Sequence, residues 1–208
     1  MSDRLRLTAS DLACIRGGRV VFEGLSFTAA SGEALVVTGP NGAGKSSLLR
    51  QIAGLVDIAG GTLTLDGGAD ETPLGEQAHY IGHLDALKGA MSVSDTVDFW
   101  SAFLGGDGAG IEAALETFDL QGLADLPVAY LSAGQRRRLA LSRLLIAPRP
   151  LWLLDEPSVA LDAASLARLV AAMERHLAQG GIIIAATHQD LGLACTSTLD
   201  LSPSVVPA

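Results

Sequence analysis

The segment Gly39–Ser46, with the sequence GPNGAGKS, limits the possible folds of this chain more than any other. It matches the pattern G-x-x-x-x-G-K-[ST], follows the apolar run Glu33–Thr38 and opens the helical stretch Lys45–Leu55. A loop with few Cβ atoms wraps a triphosphate closely with its backbone N–H groups. We therefore predict a phosphate-binding loop between a buried parallel strand and a helix. The alternative is an ordinary glycine-rich turn.

Two side chains of this loop, Lys45 and Ser46, have predicted roles in binding MgATP. Of the fourteen basic residues only Lys45 and Lys88 are lysines, so a lysine kept at position 45 of an arginine-rich chain supports a particular role. A compact ammonium fits against the β- and γ-phosphates, where the wider guanidinium does not. Ser46 is the predicted hydroxyl ligand of Mg²⁺. The predicted ATP contacts in the loop are Gly39, Pro40, Asn41, Gly42, Ala43, Gly44, Lys45, Ser46 and Ser47.

A second motif, Leu151–Ser158 (LWLLDEPS), ends a short apolar strand with two adjacent carboxylates. We predict that Asp155 reaches Mg²⁺ and that Glu156 acts as general base on the water that attacks the γ-phosphorus. The alternative is that the acidic pair only caps the helix that follows.

The third motif is Leu131–Leu145, LSAGQRRRLALSRLL, which precedes the acidic pair. Ser132 and the amides around Gly134 lie at a predicted helix start, where the helix dipole and free N–H groups attract anions. The alternative is an ordinary serine-capped helix with a basic face at Arg136–Arg138.

Together these motifs resemble those of the ATP-binding cassette (ABC) ATPases, and the resemblance covers nearly the whole chain. Leu131–Gln135 is similar to the LSGGQ signature, with alanine at a usual glycine position. Ser158–Asp162 resembles the D-loop, and His188 matches the switch histidine that contacts the γ-phosphate. A lone histidine after a strand is otherwise a loop residue. The resemblance implies that a second copy's ATP is contacted by Ser132, Ala133, Gly134 and Gln135, with Asp162 in the D-loop.

Two positions depart from the family pattern. His83 stands where the family has a glutamine that contacts Mg²⁺, so it is a candidate metal ligand, although Mg²⁺ prefers oxygen. Arg16 falls where an aromatic residue stacks on adenine, and its guanidinium can stack there instead.

The segments Tyr80–Lys88, Phe99-Trp100 and Pro150–Pro157, with the short chain, resemble one branch of the family. That branch is the ATP-binding subunit of the cytochrome c biogenesis (Ccm) haem exporter. The resemblance implies MgATP hydrolysis in a head-to-tail homodimer on the cytoplasmic face of the bacterial inner membrane. It also implies a separate integral membrane subunit docked near His83–Lys88. Through that subunit, ATP hydrolysis would drive export of haem or release of a haem-loaded chaperone. The chain has no C-x-x-C-H motif, so we expect no direct haem binding.

Three other functions are consistent with parts of the sequence. A subunit of another ABC exporter, for lipid, drug or ion, shares every ATP motif. A soluble ABC ATPase acting on ribosomes or DNA needs a second cassette or long coiled coils, which 208 residues do not hold. A phosphate-loop kinase would leave Leu131–Gln135 and His188 without roles.

Composition limits the partners. A net charge of −9 argues against nonspecific nucleic-acid binding, which relies on Lys and Arg. Cys14 and Cys195 make no disulfide framework, so a reducing cytoplasm is expected. The polar N-terminus does not resemble a signal peptide, and the longest apolar stretch, Leu139–Leu154, is interrupted by arginines and prolines.

Alternating strands and helices predict a single α/β domain over residues 1–208. The fold class is a P-loop NTPase with a mostly parallel core sheet, an N-terminal antiparallel β subdomain and a small helical lobe at about 84–130. Predicted strands are Leu5–Ile15, Val20–Ala29, Glu33–Thr38, an edge strand at Gly60–Asp66, Leu151–Leu154 and Ile182–Thr187. Predicted helices are Lys45–Leu55, Ser92–Leu104, Ile111–Phe118, Ala133–Leu145 and Asp162–Gln179.

Overall fold

The computed structural model describes residues 5–194 and 196–202, which divide into two compact units. His83–Arg149 and Ser158–Met173 form the second unit, and the other described residues form the first. The predicted boundaries of the helical lobe stay a prediction. Cys195 lies outside the described residues, whereas Cys14 is a buried free thiol whose pKa is raised by burial.

One sheet of the first unit is antiparallel and has three strands in the order β2-β1-β4. Its strands are β1 (Arg6–Arg16), β2 (Arg19–Ala30) and β4 (Gly60–Asp66). Gly17 and Gly18, both at positive φ, make the tight turn between β1 and β2 that their sequence predicts. β4 lies at the edge, which confirms the prediction for this segment.

The other sheet is parallel, with five strands in the order β5-β6-β7-β3-β8. They are β3 (Ala34–Thr38), β5 (Ala78–Ile81), β6 (Leu151–Asp155), β7 (Ile182–Ala186) and β8 (Thr196–Asp200). The antiparallel and parallel sheets confirm the predicted fold class. Sequence patterning did not identify β5 and β8, because both are edge strands and lack the continuous apolar run of the buried β6 and β7.

One hydrophobic core joins the two sheets to helix α1 (Lys45–Ile52). Each of these elements contributes fully or nearly fully buried residues, among them Leu7, Leu35, Leu48, Leu151 and Ile184. The core therefore fixes β3 and α1, the two elements between which the glycine-rich loop is held.

The second unit contains the packed helices α2 (Val93–Leu104), α3 (Ile111–Thr117) and α4 (Ala133–Ile146). Helix α5 (Ala163–Ala178) begins in this unit and ends in the first. Ser92 caps α2 as predicted: its Oγ accepts the Asp95 N–H at 3.0 Å, and Asp95 accepts the Ser92 N–H at 3.2 Å. Hydrogen bonds to its carboxylate from the side chain and the backbone N–H of Ser92 lower the pKa of Asp95. Within the described residues, no helix combines the length and apolarity that a membrane crossing needs.

A buried histidine stacks on a buried tryptophan in the first unit. The rings of His176 and Trp152 are nearly parallel, with centroids 4.0 Å apart, and both side chains are buried. His176 Nε2 donates to the Ile182 carbonyl at 3.4 Å, and the ring covers Gly181, where a Cβ would collide with it. Burial lowers the pKa of His176 from 6.5 to about 4.

We expect this histidine to make the fold sensitive to acid. The unfolded chain protonates it near pH 6.5 and the folded chain only near pH 4, so the unfolded state binds more protons between these values. The free energy of unfolding therefore falls as pH drops through this window, by about 2 kcal/mol at pH 5. Urea unfolding at pH 7.5 and pH 5 measures this decrease in the free energy of unfolding. The decrease should be smaller for His176→Phe than for the wild type. Exposed His83→Gln is the control, and equal losses in both variants would contradict this assignment.

Candidate functional site

The phosphate loop adopts a backbone path that requires glycine. Gly39, Gly42 and Gly44 all have φ values between +85° and +130°. A Cβ on Gly44 would lie 2.7 Å from Val21 Cγ1 and 2.9 Å from Phe22 Cδ1. Strand β2 therefore packs directly against the loop, and only a residue without Cβ fits at position 44.

Lys45 is buried within this loop. Its Nζ donates to the carbonyls of Gly39 at 2.7 Å and Pro40 at 3.1 Å, and lies 3.2 Å from His188 Nε2. An ammonium only donates hydrogen bonds, so Nε2 is the acceptor in this contact. The loop thus holds the Lys45 ammonium against hydrogen-bond acceptors whose place a phosphate oxygen can take.

The two carboxylates lie at the end of the buried strand β6. Asp155 is its last residue and is 4 % exposed, and the next N–H, of Glu156, donates to the Ala186 carbonyl of β7 at 2.8 Å. Glu156 has φ +48°, a left-handed conformation that costs a non-glycine residue about 1–3 kcal/mol. Its Oε1 lies 3.8 Å from His188 Nε2. The structure therefore brings together the three residues that the sequence proposed as catalytic, Lys45, Glu156 and His188.

Sequence reasoning missed a pair close to the acidic end of β6. Arg50 Nε, on α1, donates to Tyr80 Oη at 3.2 Å, and the charge of Asp155 acts on both groups. Burial raises the pKa of Tyr80, and the bond to Tyr80 raises that of Arg50. Arg50 lies one helical turn after Ser46, a spacing that could have drawn attention to it.

The signature residues lie at the start of α4 in the second unit. Gln135 N–H donates to Ser132 Oγ at 3.2 Å, and Ser132 N–H donates to Gln135 Oε1 at 2.8 Å. Within the described residues no hydrogen bond uses the amides of Ala133 and Gly134. These two N–H groups and the Ser132 hydroxyl are therefore the donors that the helix end offers an anion.

The close approach of a carbonyl explains the departure from the LSGGQ pattern. A Cβ on Gly134 would lie only 3.0 Å from the carbonyl oxygen of Ala160, whereas Ala133 is exposed. A side chain at position 133 is exposed, whereas a side chain at position 134 would require the Ala160 carbonyl to shift by a few tenths of an ångström.

Asp162 caps helix α5 and accepts the Ser165 N–H at 2.8 Å. This backbone bond is the main cause that lowers the pKa of Asp162. Arg16 is exposed at the end of β1, opposite Arg19, and His83 is exposed at the start of the second unit. The predicted D-loop, adenine and Mg²⁺ roles of Asp162, Arg16 and His83 stay predictions.

Comparison with known proteins supports this arrangement of motifs. Residues 22–159 match the family model of the ABC transporter. The protein named cytochrome c biogenesis ATP-binding export protein CcmA from Rhodopseudomonas palustris (strain BisB5) is 57 % identical over 188 residues, which cover 90 % of this chain and 94 % of the relative. The chain belongs to the CcmA family of ABC ATPases. The CcmA proteins of Nitrobacter winogradskyi and Brucella abortus are 57 % and 50 % identical, over 91 % of this chain and 95 % and 88 % of theirs.

Solved structures show the same fold for this CcmA-family chain. An ATP-binding subunit of an ABC transporter superimposes with a TM-score of 0.82 at 23 % identity, over 94 % of this chain and 86 % of its own. A bacterial Atm1-family ABC exporter with ATP bound superimposes with a TM-score of 0.81 at 24 % identity, over 97 % of this chain and 38 % of its own. At this level of identity the likeness shows the fold alone.

The arrangement in this CcmA-family chain suits phosphoryl transfer to water. In the first unit His188 Nε2 lies 3.2 Å from the Lys45 ammonium and 3.8 Å from the Glu156 carboxylate. The Ser46 hydroxyl and the Asp155 carboxylate are oxygen donors, the ligand type that Mg²⁺ takes in nucleotide sites. These two residues fit the ion that ABC ATPases use with ATP.

Proposed function

We propose that this chain hydrolyses MgATP to power a membrane complex of cytochrome c maturation, either for haem export or for release of a haem-loaded chaperone. The observation that carries the proposal is its identity of 50–57 % to proteins named cytochrome c biogenesis ATP-binding export protein CcmA. A strain lacking this gene should lose c-type cytochromes and regain them with the wild-type chain but not with Glu156→Gln. Restoration by that variant would contradict the proposal.

In the proposed reaction the glycine-loop amides and Lys45 bind the triphosphate. Lys45 exchanges the carbonyls of Gly39 and Pro40 for phosphate oxygens. Glu156 takes a proton from the attacking water, and His188, between the lysine and the carboxylate, contacts the γ-phosphate. Mg²⁺ bound by Ser46 and Asp155 would offset phosphate charge.

The chain carries one phosphate loop and one signature, so we infer a head-to-tail homodimer with two ATP molecules between the copies. The Ser132 hydroxyl and the amides of Ala133 and Gly134 would receive the γ-phosphate of the ATP held by the other copy. The capping box supports this role because it fixes the helix end before ATP arrives. Hydrolysis then removes the bridging phosphate and loosens the dimer.

We infer that an integral membrane subunit docks on the second unit and holds the chain at the cytoplasmic face of the membrane. Phe99 and Phe103 are 43 % and 69 % exposed, and their rings stack with centroids 5.9 Å apart. Lys88 Nζ lies 5.6 Å from the Phe99 ring, so this aromatic surface continues the predicted docking segment His83–Lys88. Clustered exposed apolar side chains are typical of interaction sites.

We expect Phe103→Ala to reduce copurification of the chain with membranes by about tenfold, because a large aromatic anchor is lost from the interface. ATP binding by the isolated subunit should not change. Tyr130→Ala, which removes another exposed aromatic ring from the same unit, is the matched control. Equal recovery of both variants with the membrane subunit would contradict docking at this surface.

A further inference from the structure

Two arginines face each other at the tip of the β1–β2 hairpin. Arg16 and Arg19 are cross-strand partners joined by Gly17 and Gly18, and both side chains are exposed. Like charges directly opposite each other destabilise an antiparallel pair of strands. Among residues 5–194 and 196–202, neither guanidinium forms an ion pair that would offset this repulsion. The hairpin therefore leaves the N–H donors of both groups available to a ligand.

This arginine pair lies on the face of the antiparallel sheet that meets the phosphate loop. Side chains alternate along a strand, so Arg16 shares its face with Cys14, and the charge of Arg16 acts on that thiol. The Ser47 side chain of α1 interacts with the same thiol. Phe22, the cross-strand partner of Cys14, would lie 2.9 Å from a Cβ on Gly44. The two guanidinium groups therefore lie beside the loop, one cross-strand pair of the same face beyond Phe22.

The hairpin offers no free aromatic ring to a nucleotide base. The aromatic side chains of β1 and β2 are Phe22 and Phe27, and both pack against the hydrophobic core. A triphosphate held by the loop leaves its ribose and base to extend beyond the loop. At this hairpin the base therefore meets guanidinium groups rather than an aromatic platform.

A guanidinium offers a base two kinds of contact. Its plane stacks on the ring, and two of its parallel N–H groups donate to two acceptors that lie side by side. Guanine presents such a pair of acceptors, O6 and N7, whereas adenine presents N7 next to an amino group that itself donates. Two arginines beside one base can supply both contacts at once. This chemistry suits guanine at least as well as adenine.

We propose that Arg16 and Arg19 form the base subsite of the nucleotide bound in the phosphate loop, and that guanosine triphosphate is a substrate of this chain alongside ATP. One guanidinium stacks on the base and the other donates to O6 and N7. The reaction is the same for both nucleotides: Glu156 takes a proton from water, the water oxygen bonds to the γ-phosphorus, and the bond to the bridging oxygen breaks to give GDP and phosphate. This inference rests on the proposed function, because it requires a nucleoside triphosphate in the loop.

The test measures how unlabelled MgGTP, MgATP and inorganic tripolyphosphate compete with a fluorescent ATP analogue on the isolated subunit. GTP should bind at least as tightly as ATP, and 7-deaza-GTP, which lacks N7, about fivefold more weakly than GTP. MgGTP should be hydrolysed at a rate within about threefold of that of MgATP, since the phosphates are bound alike.

The variant that tests the arginines is Arg16→Lys with Arg19→Lys, which keeps both charges but removes both planar groups. It should bind GTP about tenfold more weakly than the wild type and ATP only about twofold more weakly. Its affinity for tripolyphosphate should stay within about twofold, because the charge is unchanged. Arg6→Lys, which changes an exposed arginine at the other end of β1, is the matched control and should bind every ligand as the wild type does.

Three outcomes would overturn the inference. Weaker binding of GTP than of ATP by the wild type would remove the base subsite and leave the proposed function intact. Equal losses of GTP, ATP and tripolyphosphate in the double lysine variant would show that the arginines contact phosphate rather than the base. A wild-type chain that binds neither tripolyphosphate nor any nucleotide would contradict the proposed function as well.

Discussion

Replacing Glu156 with glutamine should lower steady-state ATP hydrolysis by about 10²–10⁴-fold, because the amide cannot take the proton of the attacking water. Binding of ATP should persist, since Lys45 and the glycine loop are unchanged. The bound ATP would then hold two copies together, so the variant should elute as a dimer in MgATP and as a monomer in MgADP.

The matched control for this substitution is Glu174→Gln, which changes an exposed carboxylate on α5 in the same unit. Its turnover should equal that of the wild type. A Glu156→Gln enzyme that hydrolyses ATP within tenfold of wild type would remove Glu156 as the general base.

Replacing Lys45 with arginine should weaken ATP binding by about 10²–10³-fold, because the wider guanidinium, although charged, cannot take the place of the ammonium against the phosphates. The loop holds the ammonium within 2.7 Å and 3.1 Å of the Gly39 and Pro40 carbonyls, a space that the planar guanidinium does not fit. Titration with a fluorescent ATP analogue measures this loss directly.

The only other lysine provides the control for this experiment. Lys88 is exposed and lies over the Phe99 ring, so Lys88→Arg keeps its charge and its contact. Nucleotide affinity should not change. Tight ATP binding by Lys45→Arg would show that charge alone, rather than the shape of the ammonium, is required in the loop.

The sequence predicts the interior of the fold better than its edges. Buried parallel strands such as Leu151–Asp155 and Ile182–Ala186 are continuous apolar runs because both of their faces are covered. Thr196–Asp200 is largely polar because it closes the sheet at an edge, and its pattern gives no such signal. Helix starts at Ser92 and Ser132 were predictable because capping depends on residues three apart.

The candidate site divides in the same way. Local motifs indicated Lys45, Glu156 and His188, and the fold brings these three residues together. The Arg50–Tyr80 bond and the Asp85–Arg137 ion pair join residues 30 and 52 positions apart, so no local spacing predicts them. The tighter space at position 134 than at position 133 likewise depends on a residue distant in sequence, because the contact is with the carbonyl of Ala160.

In the proposed dimer each ATP lies between the phosphate loop of one copy and the signature helix of the other. The most direct measurement is a structure of Glu156→Gln with MgATP. We predict that Ser132 Oγ and the Gly134 amide of one copy lie within about 3 Å of the γ-phosphate oxygens of the ATP bound to Lys45 of the other. A nucleotide with no signature helix from either copy at its γ-phosphate would contradict it.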